Sequence, residues 1–407
     1  MTAACRPPDV LLLVETSEAY GRGLMQGIIR YLEQHADWRL WFESRALTER
    51  LPPWVEAWRG DGIIARSACR QDMLALLAKR VPLVELHVAP TDGARRVQPD
   101  EQVVARLAVE HFSDRGLREY FAYFSLDVTM ETHWIDARLE AYEQAVAERG
   151  GRCSVFRPRP QSGTAGRDRP GVDDAEIIAW LRSLPRPCGV LAATDSHALR
   201  LVRACRQAGL AVPEDIAVLG VDNDPVFCEA CSPRLSSIDL DAARVGYDAA
   251  ALLAGMLAGG PPPPAITISD AHAFIETRGS TDVVALADAK VAAAARVIRD
   301  QACRQVRVDQ IAKAVGLSRR MLEQRFRSAL DRTPKDEIRR VQLEQAKSLL
   351  RSDAATMQDV ARLSGFGSLE YFDRVFRKSV GMTPAAYRRH HRIVRAIGSE
   401  PGLGRSW

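Results

Sequence analysis

Three short polar clusters carry the side chains that grip a polyhydroxylated ligand. Glu15 to Tyr20 follows the apolar run Val10–Val14, Thr194-Asp195 follows Leu191–Ala193, and Asp222-Asn223-Asp224 follows Val218–Val221. Trp134 and Arg138 stand one helical turn apart and so share a face. Carboxylates accept from neighbouring hydroxyls, an amide both donates and accepts, and an indole offers a flat apolar plate to the C–H face of a sugar ring. Each cluster also has a plainer use. Asp195 suits a helix N-cap, and Asp222-Asn223-Asp224-Pro225 suits a turn.

The elements that must position these residues alternate between strand and helix. Strands are predicted at Val10–Val14, Arg39–Phe42, Gly62–Ala65, Leu83–Leu86, Tyr120–Phe124, Ser154–Phe156, Gly189–Ala192 and Ile216–Gly220, with further strands in Ile266–Thr277. Between them lie amphipathic stretches such as Gly23–His35, Gln102–Phe112, Ile135–Glu148 and His197–Ala208. Parallel strands need crossover helices, so the pattern is that of a doubly wound α/β fold. It is too long for one sheet of ordinary size, which predicts two lobes divided near Ser113–Gly116 and again near Ser236–Leu240. In such sheets ligands sit beyond the carboxyl ends of the strands, where the three clusters fall.

Competing chemistry is poorly supported. Gly21-Arg-Gly23-Leu-Met-Gln-Gly27 mimics a dinucleotide fingerprint but reads G-x-G-x-x-x-G and starts six residues past Glu15, where the fingerprint turns at once. His87, His111, His133 and His197 are isolated, without a zinc-protease or serine-elbow pattern. Of eight cysteines only Cys228 and Cys231 form a C-x-x-C, with no second ligand pair nearby, so no metal and no cofactor are expected. The 407 residues, 46% hydrophobic and 27% charged, suffice for two or three globular domains. No run of about 18 apolar residues occurs and the start lacks a secretory pattern, so a cytoplasmic protein without a membrane partner is expected.

The net charge of +4 conceals an asymmetry. Asp288 to Arg395 holds 24 Lys and Arg against 12 Asp and Glu, whereas the remainder holds 32 against 40. A basic end of this kind suits a polyanion. The same region contains an internal repeat. Ile311-Ala-Lys-Ala-Val-Gly316-Leu-Ser318 answers Val360-Ala-Arg-Leu-Ser-Gly365-Phe-Gly-Ser368, and Phe326 to Pro334 answers Phe376 to Pro384. Gly316 and Gly365 can end a first helix, and Ser318 and Ser368 can cap a second. Leu322 with Phe326, and Phe372 with Phe376, supply a buried face. The other faces carry Arg319, Arg320, Gln324 and Arg327 in one copy, and Glu370, Asp373, Arg374, Arg377 and Lys378 in the other. Each copy therefore reads as a helix-turn-helix whose second helix enters a major groove. One helix from Pro334 to about Leu350, roughly 25 Å long, would separate the two heads by about one turn of DNA.

From about Asp288 to His391 the chain resembles the AraC-type DNA-binding domain. The resemblance rests on Gly365-Phe366-x-Ser368, Tyr371-Phe372-x-Arg374-x-Phe376-Arg377-Lys378 and Gly381-Met382-Thr383-Pro384-x-x-Tyr387-Arg388. It implies seven helices, with base contacts from Arg320, Glu323, Gln324, Leu369, Glu370, Asp373 and Arg374. The first part, with Asp195 after its strand, Gly220-Val-Asp222-Asn223 and Arg138-Leu-Glu-Ala-Tyr142, resembles the effector domains of LacI-type repressors and periplasmic sugar-binding proteins. In this order the two resemble the XylR type of xylose-operon activator. That resemblance implies a pentose near Trp134, Asp195 and Asn223, with Asp224 adjacent. Many sugar-binding relatives carry an arginine two residues before Arg138, where this chain has Asp136.

The expectation is a sugar-sensing domain over 1–280, a double helix-turn-helix domain over 281–395 and a tail over 396–407. Ligand closure of two lobes would bias binding to double-stranded DNA half-sites by a homodimer, with RNA polymerase as a further partner and no catalysis. Two rivals remain: a sugar-modifying enzyme with an accessory basic domain, and a DNA binder indifferent to ligand.

Overall fold

Asp9–Leu13 (β1) is buried at every position, which suits the interior of a parallel sheet covered on both faces. The computed structural model describes residues 6–395 apart from 48, 68, 87–93, 127–132, 159–171, 262, 270, 283–287 and 352–354. His87 and the tail 396–407 thus lie outside the described residues.

β1 is joined by β2 (Arg39–Trp41), β3 (Gly62–Ala65), β4 (Leu83–Leu86), β5 (Arg95–Gln98) and, from far along the chain, β11 (Ile266–Ile268). The order is β11-β5-β4-β3-β1-β2, all parallel. The second sheet holds β6 (Tyr120–Phe124), β7 (Arg152–Phe156), β8 (Cys188–Ala192), β9 (Ile216–Val221), β10 (Ser236–Asp239) and β12 (Phe274–Glu276). Its order is β12-β10-β9-β8-β6-β7, parallel except where β12 runs against β10. The chain therefore changes sheet three times: between β5 and β6, between β10 and β11, and between β11 and β12. The intervening helices are α1 (Ala19–His35), α2 (Trp54–Ala57), α3 (Arg70–Leu77), α4 (Glu101–Ser113), α5 (His133–Glu148), α6 (Asp174–Ser183), α7 (Asp195–Ala208), α8 (Pro225–Ala230) and α9 (Ala242–Leu257).

Two of the three glycines that mimic a nucleotide fingerprint, Gly23 and Gly27, belong to a helix contact, while Gly21 leaves room for Glu15. A Cβ on Gly27 would come within 1.8 Å of the Ala243 carbonyl oxygen, and one on Gly246 within 2.0 Å of the Leu24 carbonyl. α1 and α9 thus approach backbone to backbone, as only glycine permits.

The helical part contains α10 (Ala289–Gln301), α11 (Val308–Ala314), α12 (Arg319–Leu330), α13 (Pro334–Arg351), α14 (Met357–Leu363), α15 (Leu369–Val380) and α16 (Pro384–Arg395). Gly316 and Gly365 are left-handed at φ 64° and 79°, and the Ser318 and Ser368 hydroxyls accept from Met321 and Tyr371 amides at 3.3 and 3.1 Å. Leu322, Phe326, Phe372 and Phe376 are fully buried. α10, α11 and α12 close one core, and α13 to α16 close a second around Phe366, Phe372 and Phe376.

By its contacts the chain divides into two units, Met1–Phe112 with Arg118–Asp282, and Ser113–Leu117 with Val283–Trp407. The short segment after α4 therefore belongs with the helical unit, although the α/β sequence flanks it on both sides.

Candidate functional site

In the α/β unit the carboxyl ends of strands from both sheets converge on one buried polar cluster. Glu15 follows β1 and Arg66 follows β3; they are ion-paired and 0% and 6% exposed. The Arg66 guanidinium lies 4.9 Å from the ring centre of Tyr20, in the first turn of α1. From the second sheet, α5 contributes Trp134 and Arg138, with the Arg138 guanidinium 4.9 Å from the indole. Arg138 donates Nε and Nη2 to Glu101, the first residue of α4, at 2.8 and 3.0 Å, and Nη1 to the Ala193 carbonyl at 2.6 Å. Burial opposes the Arg138 charge, yet Glu101 holds its pKa above the ordinary value. The charges of Arg66, Asp222, Glu101 and Arg138 all act on the buried Tyr20 phenol, which places these groups around one point. Burial, and then Asp195, push the Asp222 carboxyl well above the usual carboxylate range.

Asp195, Asn223 and Asp224 form a second network beside this cluster. The Asp195 carboxylate accepts from Ser237 Oγ at 2.6 Å, the Asp224 amide at 2.7 Å and the Cys228 thiol at 3.5 Å. Gly220 leaves room for it, since a Cβ there would lie 2.1 Å from Asp195 Oδ1. Asn223 donates to Asp239 at 3.1 Å and accepts from Arg278 at 2.8 Å. Asp224 caps α8 through the Val226 amide at 2.8 Å and also accepts from the Ala19 amide at 3.3 Å. These bonds hold Asp222 and Asn223 in left-handed backbone, φ 103° and 50°, a conformation that residues with a Cβ rarely adopt. Burial pushes the Asp195 carboxyl up to about 7, against the lowering effect of its hydrogen bonds. Asp136 is ion-paired to Arg157 at 2.5 Å and is partly exposed.

Three buried polar atoms of the cluster have no hydrogen-bond partner: Glu15 Oε2, Arg66 Nε and Trp134 Nε1. Leaving such atoms unpaired in a folded protein is costly, and a ligand rich in hydroxyls can satisfy all three kinds. Arg66 and Glu101 are absent from the sequence-based set. Arg66 could have been found by the strand-end rule that singled out Glu15, whereas Glu101 is recognisable only through its contact with Arg138.

In the helical unit the second helices of the two repeats, α12 and α15, present Arg319, Arg320, Gln324, Arg327, Leu369, Glu370, Arg374, Arg377 and Lys378 as exposed residues. Glu323 and Asp373 are half-buried. Glu323 accepts from Arg319 at 3.0 Å, and Asp373 lies 3.6 Å from Arg377, so both carboxylates orient arginines of their own helix. The Arg374 guanidinium lies 5.4 Å from the Tyr371 ring centre, and Arg339 donates to the Tyr371 hydroxyl at 3.3 Å. Among the described residues, no group of three or more His, Cys, Asp or Glu is arranged to hold a metal ion, and no helix is long and apolar enough to cross a membrane.

Residues 109–281 match the model of a periplasmic binding protein-like domain, and residues 311–390 that of a helix-turn-helix domain. The chain is 31% identical over 390 residues to the xylose operon regulatory protein of Escherichia coli strain K12, covering 93% of this chain and 96% of the relative. It is 26% identical to the protein of the same name from Haemophilus influenzae, covering 93% and 97%. Among solved structures it is similar to a xylose-binding transcription activator, XylR, with a TM-score of 0.59 and 28% identity over 95% of this chain and 98% of that one. It combines an effector domain with a double helix-turn-helix as a ligand-responsive, DNA-binding transcription regulator. The chain belongs to the family of xylose operon regulatory proteins.

Proposed function

We propose that this chain activates pentose-catabolic genes in response to D-xylose. The observation that carries the sugar assignment is the set of unpaired buried atoms, Glu15 Oε2, Arg66 Nε and Trp134 Nε1, in a cluster contributed by both sheets. The sugar would touch Tyr20, Trp134 and Arg138, with Glu15, Arg66 and Asp222 as further contacts. Asp195, Asn223 and Asp224 would act through the shape of the loop that carries Asp222, because their own oxygens are already engaged. Asp136 would lie at the margin, held by Arg157. The names of the relatives support xylose over other pentoses.

On the DNA side, Arg320, Gln324, Leu369, Glu370 and Arg374 would face base edges. Arg319, Arg327, Arg377 and Lys378 would hold phosphates, and Glu323 and Asp373 would aim their neighbouring arginines. α13 has 18 residues and so spans about 27 Å, which suits two heads reading successive major grooves. A homodimer would read paired half-sites in the cytoplasm and recruit RNA polymerase, and the sugar would leave unaltered. Calorimetric titration with D-xylose, L-arabinose, D-ribose and D-glucose tests this reading. Selective heat with D-xylose, lost in Trp134→Ala, is the expected result; no heat with any of them removes the assignment.

A further inference from the structure

The segment Ser113–Leu117 is carried on the C-terminal end of α4, and α4 begins at Glu101, the ion partner of Arg138 in the sugar cluster. Thirteen residues at 1.5 Å make α4 a rod of about 20 Å. Ser113–Leu117 belongs to the helical unit, so α4 begins in one unit and its last residue is counted with the other. Within that unit, Arg332 Nη1 donates to the Asp114 carboxylate at 3.3 Å and Nη2 to the Asp114 carbonyl. The Arg332 side chain is 16% exposed and also donates Nε to Glu337 at 2.6 Å. Glu337, 4% exposed, accepts in turn from Arg340 at 3.0 and 2.7 Å. Arg115 beside it is 9% exposed. Burial, and then the nearby charges of Arg340 and Arg299, oppose its charge. The Asp114 side chain is 48% exposed, but Arg332 is held on its other side by the buried Glu337, so the guanidinium reaches Asp114 from a fixed position.

Arg332 occupies the turn between α12 and α13, two residues past the end of the first reading helix. α13 is also the helix that joins the two helix-turn-helix copies. A displacement of Asp114 is thereby delivered to the junction of both heads. We propose that α4 is the transmission element between sugar and DNA, with Arg332 and Asp114 as the residues that couple its far end to the reading helices. The proposal rests on the sugar reading above. A sugar that engages Arg138 changes what Arg138 asks of Glu101, shifts α4 along or about its axis, and moves the α12–α13 turn. Neither Arg332 nor Asp114 needs to touch sugar or bases.

The test uses the full chain and a duplex enriched from a random pool by the wild type in the presence of D-xylose. DNA affinity is measured by fluorescence anisotropy with and without D-xylose for wild type, Asp114→Ala and Arg332→Ala. In the wild type the sugar is expected to change DNA affinity by about tenfold, within the usual range of allosteric coupling. In both variants the ratio should fall below about twofold, while sugar affinity without DNA stays within about twofold of wild type. Asp114→Ala leaves the Arg332–Glu337 pair in place, so it separates coupling from stability. If DNA affinity drops equally with and without sugar and the ratio survives, or if neither variant alters the ratio, α4 is not the link. A wild type whose DNA affinity ignores D-xylose overturns the sugar reading itself, and shows as such in the control arm.

Discussion

The buried polar cluster of the α/β unit and the second helices of the two repeats are built from the same residue types used in opposite ways. In the cluster, Arg66, Arg138, Glu15 and Glu101 are all less than a tenth exposed, and each charge is paired with a fixed partner of opposite sign. On α12 and α15, Arg319, Arg320, Arg327, Arg374 and Arg377 stand in solvent, and the carboxylates that pair with Arg319 and Arg377 lie one turn away on the same helix. An exposed pair adds little to folding and exchanges readily for a phosphate. A buried pair sets geometry, and removing one member leaves the other uncompensated. The same substitution, arginine to alanine, should therefore harm the fold in one region and only the affinity in the other.

The largest expected effect follows directly. Arg138→Ala leaves Glu101 buried without its partner and should cost about 3–5 kcal/mol of stability, read by denaturant unfolding, together with loss of sugar binding. Arg320→Ala should leave unfolding unchanged while weakening DNA binding. Equal stability losses in the two variants would erase the contrast.

Next in size is a pH effect confined to the α/β unit. The Asp195 carboxyl ionises at about 7 in the folded chain against 3.8 when free, so the folded state holds the proton more tightly. Stability is then fully supported below about 4 and falls as pH rises towards about 7, because the unfolded chain has already released its proton. Asp195→Asn should flatten this slope. Thermal unfolding between pH 5 and 8 measures it, and an undiminished slope in the variant would assign the titration elsewhere.

Smaller still is the effect of Arg374→Ala, expected to lose about 1–3 kcal/mol of discrimination at one base position. An enrichment profile that relaxes at that position supports direct reading; an equal loss on every sequence makes Arg374 a phosphate contact. The smallest concerns Glu323→Gln, which frees Arg319 on an exposed face. The unfolding midpoint should move by no more than about 1 °C, whereas DNA affinity should rise slightly at low salt. A clear loss of stability would show that α12 depends on its surface pairs.

The same contrast governs what was legible in the sequence. The helix-turn-helix copies are local, with caps, turn glycines and buried phenylalanines all within about twenty residues, so their signals survive in one dimension. Apolar strands such as β1, β8 and β9 are legible for the same reason. β5 is not, because Arg95-Arg-Val-Gln98 looks like a polar loop until Arg96 is seen 3.5 Å from Glu85 of the neighbouring strand. The glycines of α1 could be refused as a nucleotide motif from spacing alone. The use of Gly23 and Gly27 became visible only with α9, more than 200 residues later in the chain. In the cluster, the strand-end rule locates Glu15 and Asp222, but which oxygens remain free depends on partners distant in sequence. Asp195 and Asn223 have the residue types of sugar ligands, while their atoms are occupied by Ser237, Asp224, Asp239 and Arg278.

The most direct test of the whole account is the affinity of the purified full chain for its enriched duplex at fixed moderate salt, titrated in parallel with and without saturating D-xylose. The two curves should separate by at least about fivefold, and the duplex should shift D-xylose affinity by the same factor, as linkage requires. Superimposable curves, with D-xylose shown by calorimetry to be bound, would contradict it.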